Sequence, residues 1–407
     1  MSIGLRRLLS IFTLLCVSSA VAAEPYRIER FTAATGDDKY YYTQSRAAVI
    51  PTAAGPRVVI VSQETDRSGS HGYRDLIAHE SADLGKTWSE PNRIESLRRQ
   101  KLASGDELAI GDVTPTWHAA TKTVLATGKT FTFRGGTKED RLAEQTSYAV
   151  YTPSIDSTKP GQAYGTWSEM KILALPEKDK SGAPLTSPNS GCQQRVDLPN
   201  GDILLPVRYR RGREALDYTT IVTRCKFDGQ TLSYVEHGNE LHHTNGRGFG
   251  EPSLAKFGDR YFLTIRNEAA GYVARSDDGL NFSKPIQWTY DDGTPLPTYN
   301  TQQHWVAHEA GGLYLVYTRR GAGNDHIFRH RAPLFIARVD PDKLHLMKST
   351  EQILLPHDHA DLGNFGVTVV SPSETWVVAG EGLQLGARNK ERNKVLVAKI
   401  LWNPSAR

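Results

Sequence analysis

Four stretches of the chain repeat one turn, and that repetition constrains the fold more than any other feature. The clearest copy is Ser81-Ala82-Asp83-Leu84-Gly85-Lys86-Thr87-Trp88, followed by Ser-Glu-Pro. A second is Ser276-Asp277-Asp278-Gly279-Leu280-Asn281-Phe282, followed by Ser-Lys-Pro. A stretched copy runs from Ser154-Ile155-Asp156 to Gly165-Thr166-Trp167-Ser168-Glu169, and a worn one is Phe227-Asp228-Gly229-Gln230-Thr231-Leu232. Aspartate and glycine make a tight turn between two strands: glycine takes positive φ, and the carboxylate accepts from nearby backbone amides. The aromatic then folds back and pins the hairpin. Runs rich in Val, Ile, Leu and Tyr flank these turns, as in Arg57 to Val61, Tyr261 to Ile265 and Leu313 to Tyr317, and read as strands. No long segment has a 3.6-residue apolar period, so the expected fold class is all-β with little helix.

The repeated turn resembles the Asp-box of the sialidase, or BNR-repeat, superfamily. That resemblance implies a six-bladed β-propeller whose blades are four-stranded antiparallel sheets. Innermost strands are expected near Arg46, Asp112, Cys192, Glu251, Gln303 and Asn364, which makes six blades. The long interval after Asp112 leaves room for a seventh. A β-sandwich with fortuitous turns is the competing architecture.

Composition narrows the setting. Residues 1–23 read as a signal peptide: Arg6 and Arg7 open it, Leu8 to Val17 is a short apolar core, and Ala20-Val21-Ala22 precedes the cut. Residues 24–407 are then one exported propeller domain, periplasmic or secreted. The net charge of +4 falls nearer to neutral once the two leader arginines are gone, which argues against nucleic-acid binding by bulk charge. No second apolar run is long enough to span a bilayer. Two cysteines remain, and either a Cys192–Cys225 disulfide or two isolated buried thiols fits an exported chain. They cannot frame a zinc site alone, and neither metal nor cofactor is expected.

The resemblance also distributes roles. Arg46, opening the first blade, matches the first arginine of the family's carboxylate-binding triad. Glu251-Pro252-Ser253 leads through a hairpin to Arg266, matching the family's glutamate and second arginine. Arg331, in Arg329-His330-Arg331-Ala332-Pro333, falls where the third is expected. The loop Thr65 to Arg74 corresponds to the proton-donor loop, with Asp66 and His71 as candidates. Retaining sialidases attack with a tyrosine from the last blade, yet Leu362-Gly363-Asn364-Phe365-Gly366-Val367 contains none. Tyr299 and Tyr317 lie one blade earlier. Arg195, His118, Gln303, His304 and Asn364 are further candidates for contact with substrate.

Three arginines on one point call for an anion there, because guanidinium forks grip a carboxylate bidentately and repel one another when unpaired. The expected activity is hydrolysis of a terminal acidic sugar by a monomeric enzyme. The alternatives are β-elimination on a uronate polymer by a His or Tyr base, and a glycan-binding propeller without chemistry.

Overall fold

Each strand-rich stretch finds its partners among its sequence neighbours, and the result is six antiparallel sheets. The structure, a computed structural model, describes residues 25–66, 73–136, 138–154, 165–382 and 392–403. The leader, His71 and most of the stretched turn at 154–169 lie outside them. Blade 1 holds Tyr40–Ile50, Arg57–Asp66, Tyr73–Ser81 and Asn92–Arg93. The first three strands of blade 2 are Glu107–His118, Thr123–Arg134 and Thr146–Pro153. Blade 3 has a broken inner strand, Thr186–Asn189 and Val196–Asp197, then Ile203–Arg210, Tyr218–Phe227 and Leu232–His237. Blade 4 runs Gly250–Phe257, Arg260–Arg266, Gly271–Ser276 and Ile286–Gln287. Blade 5 is built on His304–His308, Gly312–Tyr317 and Leu334–Asp340.

Blade 6 closes the ring with strands from both ends of the chain. Phe365–Ser371, Glu374–Gly380 and Lys394–Trp402 are joined by Tyr26–Thr35, which pairs from Tyr26 opposite Trp402 to Thr35 opposite Lys394. All six expected inner-strand positions lie on, or one residue before, the first strand of a blade or the chain linking its two halves. The architecture is a six-bladed propeller, and no α-helix occurs among the described residues.

The apolar core is partitioned between blades. Ala48, Val59, Ile110 and Val124 join blades 1 and 2. Leu125, Val150, Ile203 and Leu205 join blades 2 and 3. Equivalent clusters fill each remaining gap, including Trp376, Val378, Ala47 and Val49 between blades 6 and 1. Alternation along each strand sends side chains to both faces. With a neighbour on each side, both faces are buried, so inner and second strands read as nearly continuous apolar runs.

The repeated turns form as their chemistry requires. Gly85 N donates to Ser81 Oγ (2.8 Å) and Thr87 N to Asp83 Oδ1 (2.9 Å). Gly279 N and Asn281 N repeat this on Ser276 (2.9 Å) and Asp278 (2.7 Å). Asp228 accepts from Gln230 N and Thr231 N in blade 3. Cys192 and Cys225 are buried free thiols, so of the two cysteine readings the separate one holds.

Trp402 sits at the closure. Its ring meets Tyr26 edge-on at 5.3 Å, stacks on His308 at 4.1 Å, and Nε1 donates to Thr375 Oγ1 at 3.1 Å. Trp402→Ala removes contacts among blade 5, blade 6 and the first strand together. It should cost about 3–5 kcal/mol in urea unfolding. Leu216→Ser, at a residue 76% exposed, should shift stability by less than about 0.5 kcal/mol.

Candidate active site

Three inner strands carry the same irregularity, and the residues at it line one cavity. The register slips between Thr43 and Arg46, between Gly111 and Thr114, and between Gly250 and Ser253. At each slip one residue has positive φ: Gln44 at 55°, Asp112 at 53° and Glu251 at 42°. Cys192, where the inner strand of blade 3 is broken, takes 63°. All four line one cavity of about 370 Å³. A bulge re-aims a side chain out of the sheet's alternation, and here it happens in blades 1, 2 and 4, while in blade 3 a break in the strand places Cys192.

Arginines dominate one wall. Glu251 accepts from Arg266 Nη1 through Oε2 and from Arg208 Nη1 through Oε1, the latter at 3.4 Å. Burial opposes the Glu251 charge, but Arg266 and Arg208, with Arg331 beyond them, outweigh it and hold the carboxyl well below the usual carboxylate range. Asn300 ties the cluster together. Its Oδ1 accepts from Arg266 Nη2 (2.5 Å) and Arg247 Nη2 (3.2 Å), and its carbonyl from Arg331 Nη2 (2.8 Å). Arg208 Nε and Arg331 Nε are buried without a hydrogen-bond partner. Buried donors left open in this way are costly.

The opposite wall is acidic and mixed. Lys129 Nζ pairs with Glu144 at 2.6 Å, and Asn189 Nδ2 donates to the other Glu144 oxygen at 2.9 Å. Asp112 has a buried, unpartnered Oδ1, and burial raises its carboxyl pKa against the pull of Lys129 and Arg46. Asp361 is raised by burial in the same way, opposed by Arg331. Asp66 stands in the lining with Arg74 donating at 2.8 Å.

Tyr218 differs from the cavity's other phenols. Burial raises its pKa, yet the Arg208 guanidinium, 4.5 Å from the ring centroid, and an Arg210 hydrogen bond of 3.1 Å to its hydroxyl bring it below the usual tyrosine value. A Cβ placed on Gly250 would lie 3.9 Å from the Tyr218 ring, so the phenol packs beside the start of the Glu251 strand.

The structure therefore brings Glu251, Asp66, Arg266, Arg331 and Asn364 to one cavity. It seats Arg46 elsewhere, a correction to the expected triad. Arg46 is 1% exposed, and its guanidinium donates to the Gln44 and Phe365 carbonyls and to Gln302 Oε1. Arg208, not Arg46, lines the cavity. Arg195 clips blades 2 and 3 through the Leu125 carbonyl and Asp197. His118 is held by Thr121 and the Gly201 carbonyl. Gln303 bonds Thr264 and Thr298. His304 lies between Ser253 Oγ and Gln302 Oε1, with burial first, then Arg46, lowering its pKa to about 3. These four do not line the cavity. Tyr299 bonds His330 and Tyr317 bonds Glu351, also away from it.

Arg208, Tyr218, Asn300 and Asp112 were not singled out as site residues from sequence. Arg208 and Arg210 alternate at the end of an apolar strand, a pattern that could have marked a charged rim. Asn300 has no such signal.

No protein-family model and no curated protein matches the sequence. Solved structures do match. A Dyadobacter fermentans protein described as of unknown function aligns over 93% of this chain and 99% of its own, with 14% identity and a TM-score of 0.61. Trypanosoma rangeli sialidase, solved with sialic acid, aligns over 93% of this chain at 12% identity and a TM-score of 0.62. A Hadza microbial sialidase gives 0.59 at 12% identity over 91%. The fold is the sialidase-type propeller. The chain spans 59% of the Trypanosoma rangeli protein and 68% of the Hadza one. Within this propeller, the cavity sits where the inner strands of the blades converge.

Glu251 gives a pH test. Its folded pKa is depressed, so its ionisation contributes stability above the usual carboxylate value of 4.5, and that contribution is lost as pH falls toward the folded value. Glu251→Gln leaves Arg266 and Arg208 facing one another. It should cost about 3 kcal/mol at pH 7, and the gap from the parent should narrow in urea titrations below pH 4.5.

Proposed function

We propose that the chain is a carbohydrate-active enzyme that hydrolyses a glycoside of a carboxylated sugar bound in the propeller cavity. One observation carries this reading: Arg208, Arg266 and Arg331 share a wall with Glu251, and two of them keep a buried guanidinium nitrogen unused. Glu251 accepts from Arg266 and Arg208 and faces Arg331 as well. A ligand carboxylate supplies further negative charge to this wall and acceptors for its guanidinium forks.

Tyr218 takes the role that the last blade leaves unfilled. Its phenolate, formed by loss of the hydroxyl proton to solvent and favoured by Arg208 and Arg210, attacks the anomeric carbon while the bond to the leaving oxygen breaks. Asp66, released from Arg74 and protonated when the sugar binds, hands its proton to that oxygen. Water then cleaves the tyrosyl glycoside, its proton returning to Asp66 and the phenolate leaving. Glu251, held so firmly ionised, is a poor proton carrier. Its role is to keep the arginines charged, close and oriented. The export of the chain and its action as a monomer belong to the same proposal.

The test is a screen of carboxylated glycosides, sialosides and uronides, beside neutral ones, read by reducing ends and near-ultraviolet absorbance. Hydrolysis restricted to the carboxylated set supports the reading. An ultraviolet-absorbing product means elimination instead, with Tyr218 as the base, and binding without turnover means a glycan-binding module. Arg331→Ala should lower kcat/KM by about 100-fold or more with melting temperature retained, because one fork of the clamp is gone. Arg266→Lys should fare nearly as badly, since the ammonium cannot reproduce the fork. Tyr218→Phe should abolish kcat while leaving affinity for the acidic sugar within a few-fold.

A further inference from the structure

A cluster of imidazoles lies outside the chemistry above. His357-Asp358-His359 follows the last strand of blade 5, and His326 lies on the facing loop before Leu334–Asp340. The His326 ring centroid is 5.4 Å from that of His357 and 5.4 Å from that of His359, and the latter two are 6.3 Å apart.

We propose that His326, His357 and His359 bind a divalent transition-metal ion, zinc or a metal of similar preference, at the rim of the cavity. Three imidazoles bound to one ion through nitrogens at roughly 2.0–2.1 Å place their ring centroids about 5 Å apart. Two of the three separations are already near that value. As they stand, no three His, Cys, Asp or Glu side chains among the described residues could hold a metal ion; binding therefore requires the rings to rotate and the 357–359 pair to close by about 1 Å. Little opposes that motion. His326 and His359 are exposed, and His357 Nδ1 is buried without a partner. His118, His304 and His330, by contrast, are all fixed by hydrogen bonds. His359 also holds a positive φ of 58°, a strained conformation for a residue with a side chain. The one carboxylate between the pair, Asp358, is engaged by Lys394 Nζ at 2.9 Å. The donor set is therefore neutral imidazole, which suits zinc, copper, nickel or cobalt and not calcium or magnesium.

The ion would join two loops. One carries Phe328, Arg329 and Arg331, and the other leads to Asp361 and Asn364, all in the cavity lining. The site thus braces the arginine wall from outside without entering the chemistry.

The experiment needs no glycan, so its failure and the failure of the enzymatic reading are separable. Tag-free full-length protein, stripped with chelator, is titrated with Co2+ and with Zn2+ by visible absorption and calorimetry. One ion per chain, cobalt bands of tetrahedral type, and a Zn2+-dependent rise in melting temperature are expected. His357→Asn and His359→Asn should each weaken binding tenfold or more, and His326→Asn likewise. His330→Asn, four residues from His326 and bonded to Tyr299, should leave it unchanged. No stoichiometric uptake of either metal, or uptake that survives the His357→Asn/His359→Asn double variant, overturns the proposal.

Discussion

The apolar contact between neighbouring blades is the interaction on which everything else rests. A four-stranded sheet with two apolar faces cannot remain in water, and each blade here buries both faces against others. Stacking of this kind ends either in an exposed face or in a ring. The ring removes both terminal faces at once, and it forces the inner strands to converge on an axis. There the strands cannot fill the space between them, so a polar cavity remains. The site is a geometric consequence of hiding hydrophobic surface, and its chemistry is then set by which residues the inner strands aim inward.

That aiming relies on backbone strain shared by four blades. Positive φ at Gln44, Asp112, Cys192 and Glu251 costs on the order of 1 kcal/mol or more each relative to glycine, yet none of the four is glycine. Strain repeated around one cavity, at residues whose side chains face it, is what a selected binding surface looks like. Electrostatics adds to the cost. Arg266 and Arg331 share Asn300 and face Glu251 together with Arg208, a concentration of like charge that one carboxylate balances in part. Lys129 and Glu144 pair with each other, and Asn189 and Arg208 also face Glu144.

The fold was legible because its signals are local. Serine, an aspartate two residues on and a nearby glycine make closely similar turns in blades 1 and 4, and runs of apolar residues carry the strands between them. Six inner-strand positions followed from the six blades that the resemblance implies. The site was legible only where function and strand position coincide, as at Glu251 and Arg266, fifteen residues apart across one hairpin. Arg46 shows the limit. An arginine on an inner strand reads the same whether it points into the cavity or sinks between Gln302 and the Phe365 carbonyl, and a two-residue bulge decides which. Tyr218 and Asn300 escaped for another reason. Their importance comes from guanidinium groups on other strands, and sequence distance hides such neighbours.

The pairing of Tyr26–Thr35 with Lys394–Trp402 has a consequence for the order of assembly. Tyr26–Thr35 has no partner until more than three hundred further residues have been synthesised. Until then its edge, and one face of blade 1, stay open to any other extended chain. Loop closure over that span is slow compared with hairpin formation, so blades can be complete while the molecule is still an open arc. Whatever protects that arc, in dilute solution or beside other nascent copies, determines whether the last strand meets its own beginning or a stranger's.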